Sequence, residues 1–237
     1  MKERKIIAYG DSLTKNSYPG RLLYLTHQYL REKRDSFPVS VFRYGMSGAF
    51  FSENTTGPNA LSIVLKEKHD ACIVLGGTND LECTSSILPE IEIREALESL
   101  YQGLVSVYQR LREGGIEPVL VTIPSALGPL GLEEVVDAAT DERARKGAKL
   151  VKSFSLKKVE WRRTINDCLK EYAARERLHC ADLFTATSTE EGFLRGEYAQ
   201  DKVHFNEEGC QVMAQVIFEQ GVKPLLGRYI EEMRTTP

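Results

Sequence analysis

Five residue positions in this 237-residue chain have the types that acyl transfer requires. Ser12 offers a hydroxyl nucleophile, which is weak until a base takes its proton. Gly48, lacking a side chain, lets the backbone approach a substrate closely and aim an N–H at a developing oxyanion. Asn79 supplies a side-chain amide donor for the same charge. The base must be a histidine, and there are four. His27 falls within a helical pattern beside Tyr24 and Leu30, and His69 and His179 stand before apolar runs, at the wrong end of any strand those runs form. His204 alone occupies a loop, three residues after Asp201, a spacing that lets the carboxylate fold back onto one imidazole nitrogen and leave the other free for a serine proton. Taken singly, each signal is weak. Gly-Asp-Ser is three ordinary loop residues, and D-x-x-H equally suits a solvated loop or a helix cap.

The elements that must bring these groups together are strands. Lys5 to Tyr9 is a short apolar run that breaks at Gly10 into the serine turn. Val39 to Tyr44 is a second strand closed by Gly45-Met46-Ser47-Gly48. Ala71 to Leu75 is a third, apolar on both faces as a central parallel strand should be, ending in Gly76-Gly77-Thr78-Asn79-Asp80. Pro118 to Ile123 and His179 to Phe184 read as strands four and five. Helical spacing fills the gaps at Tyr18 to about Lys33, Leu61 to Leu65, Glu90 to about Glu113, Trp161 to about Arg177 and a final helix from about Val212 with a break at Gly221. Such alternation predicts an α/β fold of three layers, α/β/α, around a five-stranded parallel sheet. The flavodoxin-like strand order 2-1-3-4-5 fits five strands and right-handed crossovers, an inference that spacing itself does not show. All strands of a parallel sheet end at one edge, so Ser12, Gly48 and Asn79 converge there, and this convergence tips the balance for His204 and Asp201 as well.

Four blocks, Gly10-Asp11-Ser12-Leu13, Gly45-Met46-Ser47-Gly48, Gly77-Thr78-Asn79-Asp80 and Asp201-Lys202-Val203-His204, appear in the order found in the SGNH (GDSL) hydrolases, and on them the chain resembles that family. The resemblance implies a Ser12–His204–Asp201 triad and an oxyanion hole made of the Ser12 N–H, the Gly48 N–H and the Asn79 side chain. One departure concerns the second block: Arg43-Tyr44 precede Gly45 where many members carry asparagine, which leaves Gly45 as an alternative to Gly48. Asp11 and Asp80 read either as acceptors that brace the nucleophile turn and the Asn79 loop, or as plain turn formers.

The implied reaction is hydrolysis of a small or short-acyl carboxylic ester through an acyl-enzyme. The alternatives are an O-acetyl-sugar esterase, a lysophospholipase, a thioesterase, or a non-catalytic binding module that keeps the fold. No cofactor and no metal are expected, since the chain has no H-E-x-x-H, no ordered Cys/His set and no Walker-type glycine loop. The partner is a small-molecule ester. A net charge of −3 gives no field favouring nucleic acid, and no apolar run approaches a membrane span. A strand that starts at once, with five scattered cysteines and no C-x-x-C, suggests a cytoplasmic protein with reduced thiols. Residues 1–237 read as one domain. After strand four, about 125–158 is an irregular insertion that turns basic (Arg143, Arg145, Lys146, Lys149, Lys152, Lys157, Lys158). It reads as a lid whose basic face meets an anionic substrate part, or as a solvated surface segment. Phe50 and Phe51 line the cleft or belong to the core. Oligomeric state is not legible.

Overall fold

The computed structural model describes residues 3–34, 37–84, 88–128 and 142–235. Strands β1 (Arg4–Gly10), β2 (Val39–Gly45), β3 (Ala71–Leu75), β4 (Glu117–Val121) and β5 (His179–Ala181) form one parallel sheet in the order β2-β1-β3-β4-β5. Its helices are α1 (Ser12–Asn16), α2 (Pro19–Glu32), α3 (Thr56–Lys66), α4 (Thr78–Cys83), α5 (Glu90–Glu113), α6 (Glu142–Glu176), α7 (Leu183–Thr187), α8 (Glu207–Ile217) and α9 (Lys223–Thr235).

Alternation along β1 sorts these helices into two layers. Ile6 and Ala8 face a core built with Leu22 and Leu30 of α2, Met213 and Ile217 of α8, and Leu225 and Leu226 of α9. Ile7 and Tyr9 face the other core, with Leu61 of α3, Leu104 and Tyr108 of α5, and Ile165 and Leu169 of α6. Successive side chains on a strand point to opposite faces, so a central strand buried on both sides must be apolar at every position. Ala71 to Leu75 are all buried. Register places Gly10 level with Gly45 on one side and Leu75 on the other, so the three motif turns leave the sheet from one row.

Several boundaries differ from the sequence expectation. β4 stops at Val121 because the side chain of Asn166 takes over its pairing: Asn166 Oδ1 accepts the Ile123 N–H at 2.7 Å, and its Nδ2 donates to the Ile123 carbonyl at 2.9 Å. β5 stops at Ala181 because Asp182 caps α7, accepting from the Thr185 N–H. Two motif blocks expected as loops run into short helices, α1 and α4. The break expected at Gly221 is a π-helical stretch, Phe218–Val222, that passes into α9 without interruption. A side chain at Gly221 would reach within 2.6 Å of Val119 Cγ1, so glycine lets this stretch press on β4.

Of the insertion expected over about 125–158, residues 129–141 lie outside the described residues. Residues 142–158 are not irregular: they are the first half of α6, a 35-residue helix continuous with the one expected from Trp161. Glu, Arg, Lys, Ala and Leu there are strong helix formers, and one unbroken apolar stripe is not needed for a helix that packs only along its second half. The side chains of Arg143, Arg145 and Lys149 are not described. Among the described residues, no helix is long and apolar enough to cross a membrane.

Candidate active site

β1 ends at Gly10, and the chain turns so that Ser12 opens α1, half-buried. Two hydrogen bonds hold this turn. The Asp11 N–H donates to the Leu75 carbonyl of β3 at 3.3 Å, and Asp11 Oδ1 accepts from the Leu13 N–H at 2.9 Å, capping the helix. Asp11 is fully buried, and burial pushes its carboxyl up to about 7, against the Leu13 N–H and the Thr78 hydroxyl, which hold it down.

His204 arrives from a turn 192 residues later in the chain. Its Nε2 lies 3.0 Å from Ser12 Oγ, and its Nδ1 lies 2.8 Å from Asp201 Oδ2. With Nδ1–H given to the carboxylate, Nε2 is the tautomer's free acceptor and takes the serine hydroxyl. The turn is closed by main-chain bonds, Gln200 N–H to the His204 carbonyl at 2.9 Å and Asn206 N–H to the Tyr198 carbonyl at 2.9 Å. Asn206 then caps α8 through the Gly209 N–H. Asp201 Oδ1 accepts the main-chain N–H groups of His204 and Val203, both at 2.9 Å. Those two bonds, with the imidazole, hold its carboxyl down at about 2 although the group is largely in water.

The two glycines of the second loop differ in their surroundings. Gly45 is pressed on α1, where a Cβ would come within 2.2 Å of the Lys15 nitrogen. Gly48 is an exposed residue with φ +74, a left-handed value that favours glycine, and open space around it, and its N–H has no acceptor among the described residues. Asn79 lies in the first turn of α4, and one hydrogen of its Nδ2 goes to the Ala49 carbonyl at 2.9 Å, leaving the other. The Asp80 carbonyl accepts locally, from the Thr84 N–H at 3.0 Å and the Thr84 hydroxyl at 2.8 Å, but its side chain reaches out of its own loop. Its carboxylate accepts the N–H groups of Phe51 and Ser52, both at 2.9 Å, so it ties α4 to the loop that carries Gly48. Phe51 is core, edge-on to Tyr9, whereas Phe50 lines a separate cavity with Leu81, Leu97 and Leu100. A small cavity of 140 Å³ opens beside Ser12 and His204, walled by Leu13, Ser17, Gln200 and Phe205.

The other histidines stand away from these groups. His27 on α2 is within 3.2 Å of the Val39 carbonyl, at the start of β2. His69 and His179 lie at the amino-terminal edge of the sheet, near Glu67 and Glu117, and burial lowers the pKa of both.

Sequence reasoning passed over one group. Glu82, three residues after Asn79, pairs with Arg162 and Lys202, with Lys158 close by. Burial works to raise its carboxyl, but Arg162, Lys202 and Lys158 outweigh it and take the value down to about 2. The i,i+4 spacing of Lys158 and Arg162, and a lysine inside the D-x-x-H block, were the available signals.

A family model described as GDSL-like lipase/acylhydrolase matches residues 8–212. A comparison with curated proteins finds no match. Similar solved structures include the lipase/acylhydrolase from Enterococcus faecalis, 20% identical with a TM-score of 0.55, covering 95% of this chain and 96% of that one. A mutant of an acetyl-xylooligosaccharide esterase from Geobacillus is 15% identical with a TM-score of 0.58, covering 92% and 93%. A GDSL-like lipase from Bacteroides thetaiotaomicron is 13% identical with a TM-score of 0.54, covering 91% and 86%. At such identities the structural likeness speaks to the fold.

Proposed function

The chain belongs to the GDSL-like lipase/acylhydrolase family, and from that premise we propose that it is a serine ester hydrolase whose whole length serves one Ser12–His204–Asp201 site. The observation that carries the reading is the unbroken run of contacts from Asp201 through His204 to Ser12 Oγ. Ser12 Oγ attacks the ester carbonyl while its proton passes to His204 Nε2, and the carbonyl π pair moves onto oxygen. That oxyanion is met by the N–H groups of Ser12 and Gly48 and the spare Asn79 amide hydrogen. Loss of one such donor costs about 2.7–4 kcal/mol of transition-state stabilisation. The tetrahedral species collapses as His204 returns the proton to the leaving alcohol. Water then attacks the acyl-enzyme by the same roles, releasing acid and regenerating Ser12. Asp201 keeps the imidazole turned and offsets its transient positive charge.

The 140 Å³ cavity beside Ser12 suits a short acyl or small alcohol portion, so small esters are the substrate class. Acetyl esters come first, as one protein of the same fold acts on acetyl-xylooligosaccharides. The free state of all five cysteines supports a reducing compartment, the cytoplasm. The test is turnover of 4-nitrophenyl acetate, butyrate and octanoate by wild type and Ser12→Ala, with intact-mass detection of a phosphonate adduct. Wild-type turnover favouring acetate, lost in the variant along with the adduct, is the expected result. Equal rates for the two proteins overturn the reading.

A further inference from the structure

Beside the oxyanion donors, three cations crowd one carboxylate. Arg162 and Lys202 pair with the two oxygens of Glu82, Lys202 at 2.6 Å, and Lys158 stands 3.8 Å from Oε2 while donating to the Glu82 main-chain carbonyl. Three positive charges against one negative leave +2. Among the described residues no second carboxylate answers them: Asp201 is turned to His204, and Glu160 on the same helix is exposed with no ion pair.

Burial makes this imbalance significant. The Arg162 side chain is 1% exposed, and its Nε has no hydrogen-bond partner. One buried ion pair would be enough to pin α6 to α4. A further cation held largely out of water, Lys158 at 19% exposed, is costly, and the cost is relieved when an anion joins it. Lys202 is 65% exposed, so the cluster is open to solvent on that side.

Its position connects it to the chemistry. Glu82 follows Asn79 by three residues on α4, which puts them on adjacent turns of one face, about 5–6 Å apart at Cβ. Lys202 lies between Asp201 and His204 in the closed turn. An anion held by Lys158, Arg162 and Lys202 is therefore within a small molecule's length of a carbonyl at Ser12.

We infer that Lys158, Arg162 and Lys202 form an anion subsite that selects esters bearing a carboxylate or phosphate group a few bonds from the scissile carbonyl. The inference rests on the ester-hydrolase reading and deepens it by naming the substrate's charge.

Two matched pairs test it: 4-acetoxybenzoate against its methyl ester, with the charge on the alcohol side, and mono-4-nitrophenyl succinate against 4-nitrophenyl butyrate, with the charge on the acyl side. In at least one pair the anion is expected to have kcat/KM higher by about tenfold or more, as for a charge-assisted hydrogen bond, mainly through KM. Lys202→Met is expected to bring that ratio to about one, and Lys158→Met to reduce it; both keep the aliphatic stem. Saturable binding of inorganic phosphate, measured by calorimetry at low salt on wild type and lost in Lys202→Met, gives the same answer without turnover. Ratios within about twofold in both pairs, together with phosphate binding no stronger than chloride, overturn the inference and leave neutral-ester hydrolysis untouched. A preference that survives both lysine substitutions overturns it too.

Discussion

The charge on Asp201 is secured by main-chain N–H groups more than by its histidine. Bonds from the His204 and Val203 N–H groups come first among the causes that hold its carboxyl at about 2. Because that value lies below the unfolded one near 3.9, the carboxylate supports the fold above about 4, and this support is lost as pH falls toward 2. More than half of the side chain is in water, so the contribution to stability is small. Its consequence is kinetic: any loss of activity on acidification above pH of about 4 belongs to another group. Asp201→Asn keeps an oxygen for the two N–H groups but no longer balances an imidazolium. Its kcat is expected to fall by about 10²–10⁴-fold with little change in melting temperature. Asp201→Ala should lose both activity and the turn, and so melt lower. Retention of activity within tenfold by Asp201→Asn would show that the carboxylate does not orient the base. Asp11 has the opposite sign. With its carboxyl raised to about 7 by burial, the folded chain holds a proton that the unfolded chain has released above about 3.9. Stability contributed by this group therefore falls as pH rises from about 4 to 7 and levels off beyond. His69 and His179, with lowered pKa values, drive the reverse slope, so the measurement is a difference. Asp11→Asn is expected to gain melting temperature relative to wild type as pH is raised from 4 to 7. Parallel curves would mean that Asp11 is already charged in the fold.

Two elements, α4 and the loop after β2, behave as one piece because side chains of the first accept and donate to the backbone of the second. Asn79 reaches Ala49, and Asp80 reaches Phe51 and Ser52. Asp80→Ala leaves the Phe51 and Ser52 N–H groups without their acceptor, at about 1–3 kcal/mol each, so the expected loss is about 2–6 kcal/mol in denaturant unfolding. The same change frees the segment carrying Gly48, and kcat should drop by more than KM changes. A stable variant with wild-type kcat would show that the clamp is unnecessary. Asp80 was legible as a turn former or brace, but which backbone it braces was not, because its partners lie 28 and 29 residues away across a crossover. The strands were legible because parallel strands leave apolar runs ended by glycine, as at Gly10, Gly45 and Gly76, whereas their order came from fitting five strands with right-handed crossovers and not from any spacing. The first half of α6 was hidden because its residues alternate charge without a continuous apolar stripe, and the early stop of β4 depends on Asn166, a polar residue inside a helical pattern 43 positions on. Convergence of the strand-end groups follows from parallel topology alone. The pairing of Glu82 with Arg162 and Lys202 does not, since it depends on how helices pack over the sheet.

On the scale of the molecule, the site edge of the sheet is built from loops, whereas the opposite edge joins the two ends of the described chain. Arg4 of β1 lies over the Tyr229 ring at 4.1 Å and pairs with Asp70 at 3.0 Å and Glu232 at 3.2 Å, tying β1 to α9. Arg228 pairs with Glu117 at the start of β4. The more exposed pairs, Arg4 with Glu232 and Arg228 with Glu117, contribute little singly, whereas Arg4 with Asp70 is largely buried. The substantial term is apolar: Leu225, Leu226, Tyr229 and Ile230 of α9 are each 5% exposed or less and close the core on that face. Burying four such side chains is worth about 1.5–3 kcal/mol each, or about 6–12 kcal/mol together. That is comparable to the whole stability of a typical domain, about 5–15 kcal/mol. Removing residues 224–237 is therefore expected to abolish the cooperative melt and, with it, ester turnover, although no removed residue lies at the site. Leu226→Ala separates the two effects. It should cost about 2–5 kcal/mol in denaturant unfolding while kcat per folded molecule stays at the wild-type value, because Leu226 is a core residue and does not wall the cavity at Ser12 and His204. A truncated chain that still unfolded cooperatively near the wild-type temperature would show that the sheet and its remaining helices suffice, and that α9 only covers a core already complete.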